Sequence, residues 1–432
     1  MKEKVAILGG GASGISCGYH LKKLGIQSTI FEKDSDWGGL CGNFSIDGFR
    51  FDRFVHFSHT SNKYVKNLIS NSTPLNIHKP EASNYYKGQW LRHPAINNLY
   101  PLSPVERRKI ITDFILSSSK KKKINNYEDW LKNQYGDYFA EKFPMQYTQK
   151  YWTVPAKSLE TKWVGNKMHR SSIDQILQGA FSNHDRTDYY ANQMRYPKVG
   201  GYRSILNGMK KDVNVILNKK VIQIDSEKKN IIFSDKTSTN YDILVSSIPL
   251  VSIVNTIKNI PNYIKSECSK LLSTSGYLVS IGLDKPCIPK HLWFYIYDIS
   301  ILPSRVYSPS LKSSENVPEG CSSLQAEIYF SKKMELNYDE QEILDRTIKS
   351  LLDMNVIKSK NIILKHIRRE NFANIVFTPD IYNSSLIVKN YLKSKGINLI
   401  GRFGEWKYLW SDQAILSGKK VARSIHRSIK NE

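Results

Sequence analysis

Between Val5 and Glu32 the chain reads VAILGGGASGISCGYHLKKLGIQSTIFE. A short apolar run meets glycines at 9, 11 and 14, an apolar-periodic helix follows, and a second apolar run ends on an acid. Strand, tight turn and helix in this order, with G-x-G-x-x-G spacing, form a unit whose turn receives a dinucleotide pyrophosphate. Gly9 permits the sharp turn, Gly11 lets the backbone approach the phosphates, and Gly14 lets helix and strand pack closely. Ala12 and Ser13 open the helix, where free N–H groups face an anion. Glu32 stands where an acid accepts hydrogen bonds from the adenosine ribose, with Lys33 beside it.

The segment Asp36-Trp37-Gly38-Gly39-Leu40 follows directly. A glycine pair here looks like the second phosphate-side motif of FAD proteins, with Gly39 and Leu40 close to the cofactor. An ordinary β-turn is the competing reading. Joined to the first motif, the pair favours FAD over NAD.

A chain of 432 residues is long for one core, and two domains are expected. No stretch of about 18 apolar residues marks a membrane span. The N-terminus runs straight into the first strand, so no signal peptide is expected. The five cysteines, 17, 41, 268, 287 and 321, are scattered and lack metal-ligand spacing, which fits a reducing cytoplasm. Cys17 is expected to pack within the dinucleotide helix. The net charge of +24 favours anionic partners. Because the lysines are spread along the chain, nucleic acid is not an expected partner. Peripheral association with an anionic membrane or with glycan assembly remains an alternative, as does a homodimer. The run Lys120–Lys123 reads as a solvated loop or helix end.

The texture changes along the chain. Residues 1–75, 200–260 and 365–432 read as a discontinuous FAD-binding domain, and 76–199 with 261–364 as a substrate domain. The first substrate segment is aromatic and basic, with helices predicted at Pro104–Ser118, Tyr127–Asn133 and Ile173–Phe181, and is expected to be a helical insertion. An Asp-Gly hairpin is predicted at Ile46–Asp52. Strands are predicted near 213–217, 220–224, 230–233, 276–283, 292–297, 323–330 and 362–370. Helices are predicted at 339–354 and from Asp412 onward. The fold class is thus α/β, a Rossmann-type FAD-binding domain of the second glutathione-reductase kind with an inserted helical and mixed-sheet domain.

Several further segments carry a family resemblance. They are Phe54-Val55-His56-Phe57-Ser58-His59, Tyr147 to Trp152 with Ser158 to Trp163, Arg195-Tyr196-Pro197-Lys198-Val199-Gly200-Gly201-Tyr202, and Gly401-Arg402-Phe403-Gly404-Glu405-Trp406-Lys407-Tyr408 followed by Asp412-Gln413-Ala414. Together they resemble the flavoproteins that include UDP-galactopyranose mutase and the protoporphyrinogen-oxidase-like proteins. The resemblance implies that His56 backs the flavin and that Gly401, Arg402, Tyr408, Asp412, Gln413 and Ala414 hold it. It also implies that Arg170 and Arg305 meet a sugar diphosphate. Each arginine alone is more often a surface or interdomain ion pair. The chain departs from the mutases at Phe377 and Leu409, where the resemblance expects tyrosine hydroxyls; Tyr382 is a candidate replacement for one of them.

The implied chemistry belongs to the flavin, and no hydrolytic nucleophile or metal cluster is marked. His56 and His59 are candidate acid/base groups, with packed, hydrogen-bonded histidines as the alternative. His93 and His169 have weaker claims. Tyr147, Tyr151 and Trp152 either stack a nucleobase or sugar face or pack as core. Arg402 either contacts the cofactor or pairs with Glu405. The helix at Asp412 is expected to aim its amides at the flavin's pyrimidine edge. The expected substrate is a nucleotide-diphosphate sugar, handled by oxidoreductase chemistry or, alternatively, by a pyranose–furanose mutase or an amine/porphyrinogen-type oxidase. A role in bacterial surface polysaccharide biosynthesis is implied by the resemblance.

Overall fold

The computed structural model describes residues 3–119, 123–165, 170–183, 193–285 and 291–431. The expectations for His169, Cys287 and Lys120 to Lys122 lie outside the described residues.

The motif at the N-terminus builds what its spacing dictates. Val5–Leu8 is a strand with every side chain buried, followed by the helix Ala12–Lys23 and the strand Ser28–Phe31. These strands lie in a five-stranded parallel sheet ordered 397–399, 243–246, 5–8, 28–31 and 214–216. The last helix, Ser411–Asn431, packs along the first; Ser16 Oγ donates to Ile415 O at 2.6 Å. The core between them contains Ile7, Ile15, Leu21, Ile30, Val245 and Ile415, and Cys17 packs there as expected. A short antiparallel sheet (221–225, 230–233, 238–240) flanks this layer. The hairpin also forms, from Asn43–Ile46 and Phe49–Asp52, with positive φ at Asp47 and Gly48 (47° and 82°).

The second layer is a seven-stranded sheet ordered 362–375, 273–283, 322–330, 305–307, 293–296, 82–86 and 89–92. It is antiparallel except where Trp293–Ile296 runs parallel to Ala82–Tyr86. Here the structure adds strands to the expected helical insertion. Residues 76–199 contribute the strands Ala82–Tyr86 and Gln89–Arg92 to this sheet, and Met194–Pro197 pairs with Leu75–His78. The strand Ala82–Tyr86 alternates buried and half-buried side chains, the period-two signature of a sheet, but five residues are too few to stand out among so many aromatics. The expected domain boundary at 365 falls inside the strand Ile362–Ile375, which pairs with Ser273–Leu283 over most of its length. The predicted helices form at Pro104–Ser119, Tyr127–Tyr135, Ile173–Phe181 and Glu340–Asp353. Two further helices, Asp137–Lys142 and Pro144–Trp152, roof the region between the layers; the second begins on a proline, whose missing N–H costs a first turn nothing.

Candidate active site

A cavity of about 1290 Å³ runs between the layers. At one end the two glycine turns meet. Gly38 N–H donates to Gly10 O at 2.9 Å, and a Cβ on Gly39 would lie 3.1 Å from Gly11 Cα. Gly9 has φ of +97°, and a Cβ on Gly14 would lie 2.0 Å from the Gly9 carbonyl oxygen. The turn therefore requires glycine at both places. Glu32 is buried; one oxygen accepts Gly10 N–H at 2.7 Å and the other Asp34 N–H at 3.0 Å. Each carboxylate oxygen keeps a second lone pair for a ribose hydroxyl.

The expected cofactor residues divide in two. Gly9, Gly11, Ala12, Ser13, Glu32, Lys33, Gly39, Leu40, His56, Arg402, Tyr408, Asp412 and Ala414 line the cavity. Gly14, Gly401 and Gln413 support it from behind. Gly401 N–H donates to Ser417 Oγ at 2.9 Å, and Gln413 accepts Trp410 N–H at 2.9 Å, capping the last helix. That helix opens at the cavity with Ser411 and Asp412, both of which line it. Arg402 does not pair with Glu405, which correctly excludes that alternative: its Nε donates to Leu409 O at 2.7 Å and its guanidinium lies 5.3 Å over the Tyr408 ring, while Lys407 takes Glu405 at 3.0 Å.

The far end of the cavity is aromatic. Tyr147, Tyr151 and Trp152 project from Pro144–Trp152, with Tyr127, Phe139 and Trp163 beyond them. Burial raises the phenol pKa of both Tyr147 and Tyr151, keeping them protonated as hydrogen-bond donors. Tyr151 OH donates to Asn374 Oδ1 at 3.1 Å. Arg305 enters this chamber from the strand Arg305–Tyr307.

Sequence reasoning missed the group that fixes Arg305. Glu327 is fully buried in Ser322–Phe330. Its Oε2 takes Arg305 Nε at 2.7 Å and Nη2 at 2.6 Å, and Tyr329 OH at 2.7 Å. Its Oε1 takes Val55 N–H at 2.6 Å, which ties the arginine to the loop carrying His56. Burial opposes the Arg305 charge, but Glu327 and the flanking tyrosines outweigh it and hold the pKa above its ordinary value. The signal was legible: a lone acid in an apolar strand demands a cation.

His56 and His59 both line the cavity. Burial pushes each down to about 4, so both rings are neutral at physiological pH. His56 stacks on Tyr202, with ring centres 4.9 Å apart, and its Nδ1 lies 3.2 Å from Phe54 O. A second missed group sits behind this wall. Lys312 Nζ meets Asp52 at 2.5 Å, both fully buried, within a box of Phe57, Tyr196 and Tyr307 rings. Asp52 also accepts Tyr202 N–H at 2.9 Å and Tyr196 OH at 2.8 Å, joining the hairpin to the glycine loop at 200–201.

Two expected substrate residues lie elsewhere. The Arg170 guanidinium sits 5.3 Å over Phe114 of the helix Pro104–Ser119, and only its neighbour Ser171 lines the cavity. Tyr382 is partly exposed, with Lys162 Nζ 5.2 Å over its ring. Of the expected paired-arginine clamp, Arg305 lines the cavity and Arg170 does not. Among the described residues no group of His, Cys, Asp or Glu side chains forms a metal site, and no helix is long and apolar enough to cross a membrane.

The abutting glycine turns, the buried Glu32 on the cavity wall and the helix N-terminus opening at the same cavity fit FAD. The fold and this cradle define a Rossmann-type flavoprotein architecture. A family model described as an NAD(P)-binding Rossmann-like domain matches residues 7–71. In backbone the chain is similar to a reduced UDP-galactopyranose mutase, with a TM-score of 0.92 and 23% identity over 98% of this chain and 95% of that one. It is also similar to a putative protoporphyrinogen oxidase from Exiguobacterium sp. 255-15, with a TM-score of 0.76 and 14% identity over 99% of each chain. In sequence it is 21% identical over 324 residues to the 4,4'-diaponeurosporene oxygenase of Staphylococcus haemolyticus. That match takes in 66% of this chain and 63% of the oxygenase, less than two thirds of the relative's length. The chain thus shares the fold of flavin-dependent oxidoreductases and of a flavin-dependent mutase, as its motifs predict.

Proposed function

We propose that this protein is an FAD-dependent enzyme of the oxidoreductase type that acts on a nucleotide-diphosphate sugar. The observation that carries the reading is Arg305, held by a buried acid among tyrosines, in the same cavity as the dinucleotide cradle. A guanidinium already anchored through Nε and Nη2 keeps Nη1 outside the pair, and that rigid fork suits a phosphate oxygen. The Tyr147 and Tyr151 faces, stacked 5.4 Å apart, give a sugar or base a surface to lie on. His56 and His59, neutral under physiological conditions, accept a proton or hydrogen bond at the cofactor wall. FAD, when bound, supplies two-electron redox chemistry or, once reduced, a nucleophilic ring nitrogen. A place in bacterial surface polysaccharide assembly is part of this reading and rests on resemblance.

The second reading is a pyranose–furanose mutase, favoured by the backbone match of 0.92 to a solved mutase. Phe377, buried and without a hydroxyl, and Leu409, on the cavity wall, weigh against it. An amine- or porphyrinogen-type oxidase would give Arg305 only its structural pair with Glu327. Absorption spectra of the flavin during titration with UDP- and dTDP-sugars, oxidised and pre-reduced, test all three. Bleaching of oxidised flavin by a sugar nucleotide supports the oxidoreductase. Turnover only after reduction, with no net redox change, supports the mutase. Indifference to every sugar nucleotide, in both redox states, rules out the proposed substrate class.

A further inference from the structure

The outer flanks of the helices Ala12–Lys23, Lys63–Ser70, Asn207–Lys210 and Ser411–Asn431 form one continuous surface, the first and last lying along each other and the shorter two closing against them. The last helix carries Lys419, Lys420, Arg423, Arg427 and Lys430. Its one acid among the described residues is Asp412, at the cavity end. The first helix ends in Lys22 and Lys23 without an acid, and Lys63–Ser70 has Lys63 and Lys66 without an acid. Asp212, just past Asn207–Lys210, is taken by Lys22 at 3.5 Å.

Several basic side chains elsewhere are matched. Lys132 meets Glu128 at 3.0 Å, Lys258 meets Asp225 at 3.1 Å, Lys270 meets Glu267 at 2.7 Å and Arg346 meets Glu342 at 2.8 Å. On the four-helix face, no carboxylate of the described residues lies within 4.0 Å of Lys23, Lys419, Lys420, Arg423 or Arg427. Their field reaches inward: His20, beneath them, is held down to about 4, first by burial and then by Lys419, Arg423 and Lys23. The four helices thus gather ten Lys and Arg against one acid, Asp412, on a single surface.

We propose that this face docks on an anionic bilayer surface, held by its headgroup charges and without entry into the hydrocarbon. Charge complementarity selects the partner. None of the large exposed apolar side chains belongs to these helices, which excludes an inserted apolar edge of the kind interfacial helices use. Single-stranded nucleic acid is the poorer match because the face offers no open ring for base stacking. Lys419 Nζ lies 3.1 Å over Tyr64, and Lys23 Nζ lies 5.4 Å over Tyr19.

The test is co-sedimentation of the full chain with vesicles of phosphatidylcholine alone and with about one third phosphatidylglycerol, in low and high salt. Binding is expected only to the anionic vesicles and is expected to be released by salt. The variant K420E/R423E/R427E/K430E should bind about a hundredfold more weakly. A control with as many reversals on other elements, K228E/K358E/K360E/K365E, should stay near the parent. An unchanged far-UV circular dichroism spectrum establishes that both variants fold. No binding to anionic vesicles, equal loss in both variants, or tighter binding to duplex DNA than to the vesicles would each overturn the proposal.

Discussion

Two carboxylates, Glu327 and Asp52, organise the site although neither belongs to a motif. Each is buried, and each orders a cation together with a cavity-lining loop. Arg305→Lys keeps the charge beside Glu327 but loses the fork. It should weaken binding of the sugar nucleotide about 10–100-fold, read by titration of the flavin spectrum, while flavin content stays unchanged. Lys312→Met leaves Asp52 charged and unpaired, and should cost about 3–5 kcal/mol of unfolding free energy in denaturant melts. Asp52→Asn with Lys312→Met removes both charges and should recover most of that loss. At this scale the sequence was readable where chemistry follows the backbone turn, as at Gly9, Gly11 and Glu32. Arg170 was misplaced because a guanidinium's reach spans several Å, so its position in the chain does not fix whether it faces the cavity or the Phe114 ring.

Helix and strand assignments succeeded where a period repeated long enough to be distinctive. Glu340–Asp353 buries Ile343, Leu344, Thr347, Ile348 and Leu351 on one face, and its N-cap Asp339 accepts Glu342 N–H at 2.8 Å. Short strands such as Gln89–Arg92 carry too few residues to separate a period of two from chance. The helix Pro144–Trp152 was read only as an aromatic cluster, because its buried face also lines a cavity and so lacks a purely apolar stripe. Lys150, buried within it, anchors the helix through Ile296 O at 2.9 Å and Asp298 O at 3.0 Å. The first helix gives the sharpest element-scale expectation. Gly14→Ala puts a methyl group against the Gly9 carbonyl, so the helix must shift off the strand. Purified protein should lose its flavin absorbance and about 3 kcal/mol of stability.

The whole molecule should respond to acid through its histidines. His20, His56, His59, His93 and His291 are each held near 4, mainly by burial. Unfolded, each would titrate near about 6.5. Between these values the unfolded chain binds more protons, so the contribution is complete above about 6.5 and is lost as pH falls toward the folded values. Melting temperature should therefore drop steadily from about pH 6.5 to pH 4, on the order of 2 kcal/mol per well-buried ring; a flat profile would mean the rings are solvated. The two-layer architecture and the convergence of distant segments were legible from motifs at residues 9–14 and 401–414. The order of the second sheet was not, since strand pairing over hundreds of residues leaves no local trace. One wall of the cradle is the helix Ser411–Asn431, which the ribosome makes after the glycine turns it faces. Until those residues emerge, the nascent Rossmann layer has an open flank beside its first helix, and the cradle lacks one of its walls.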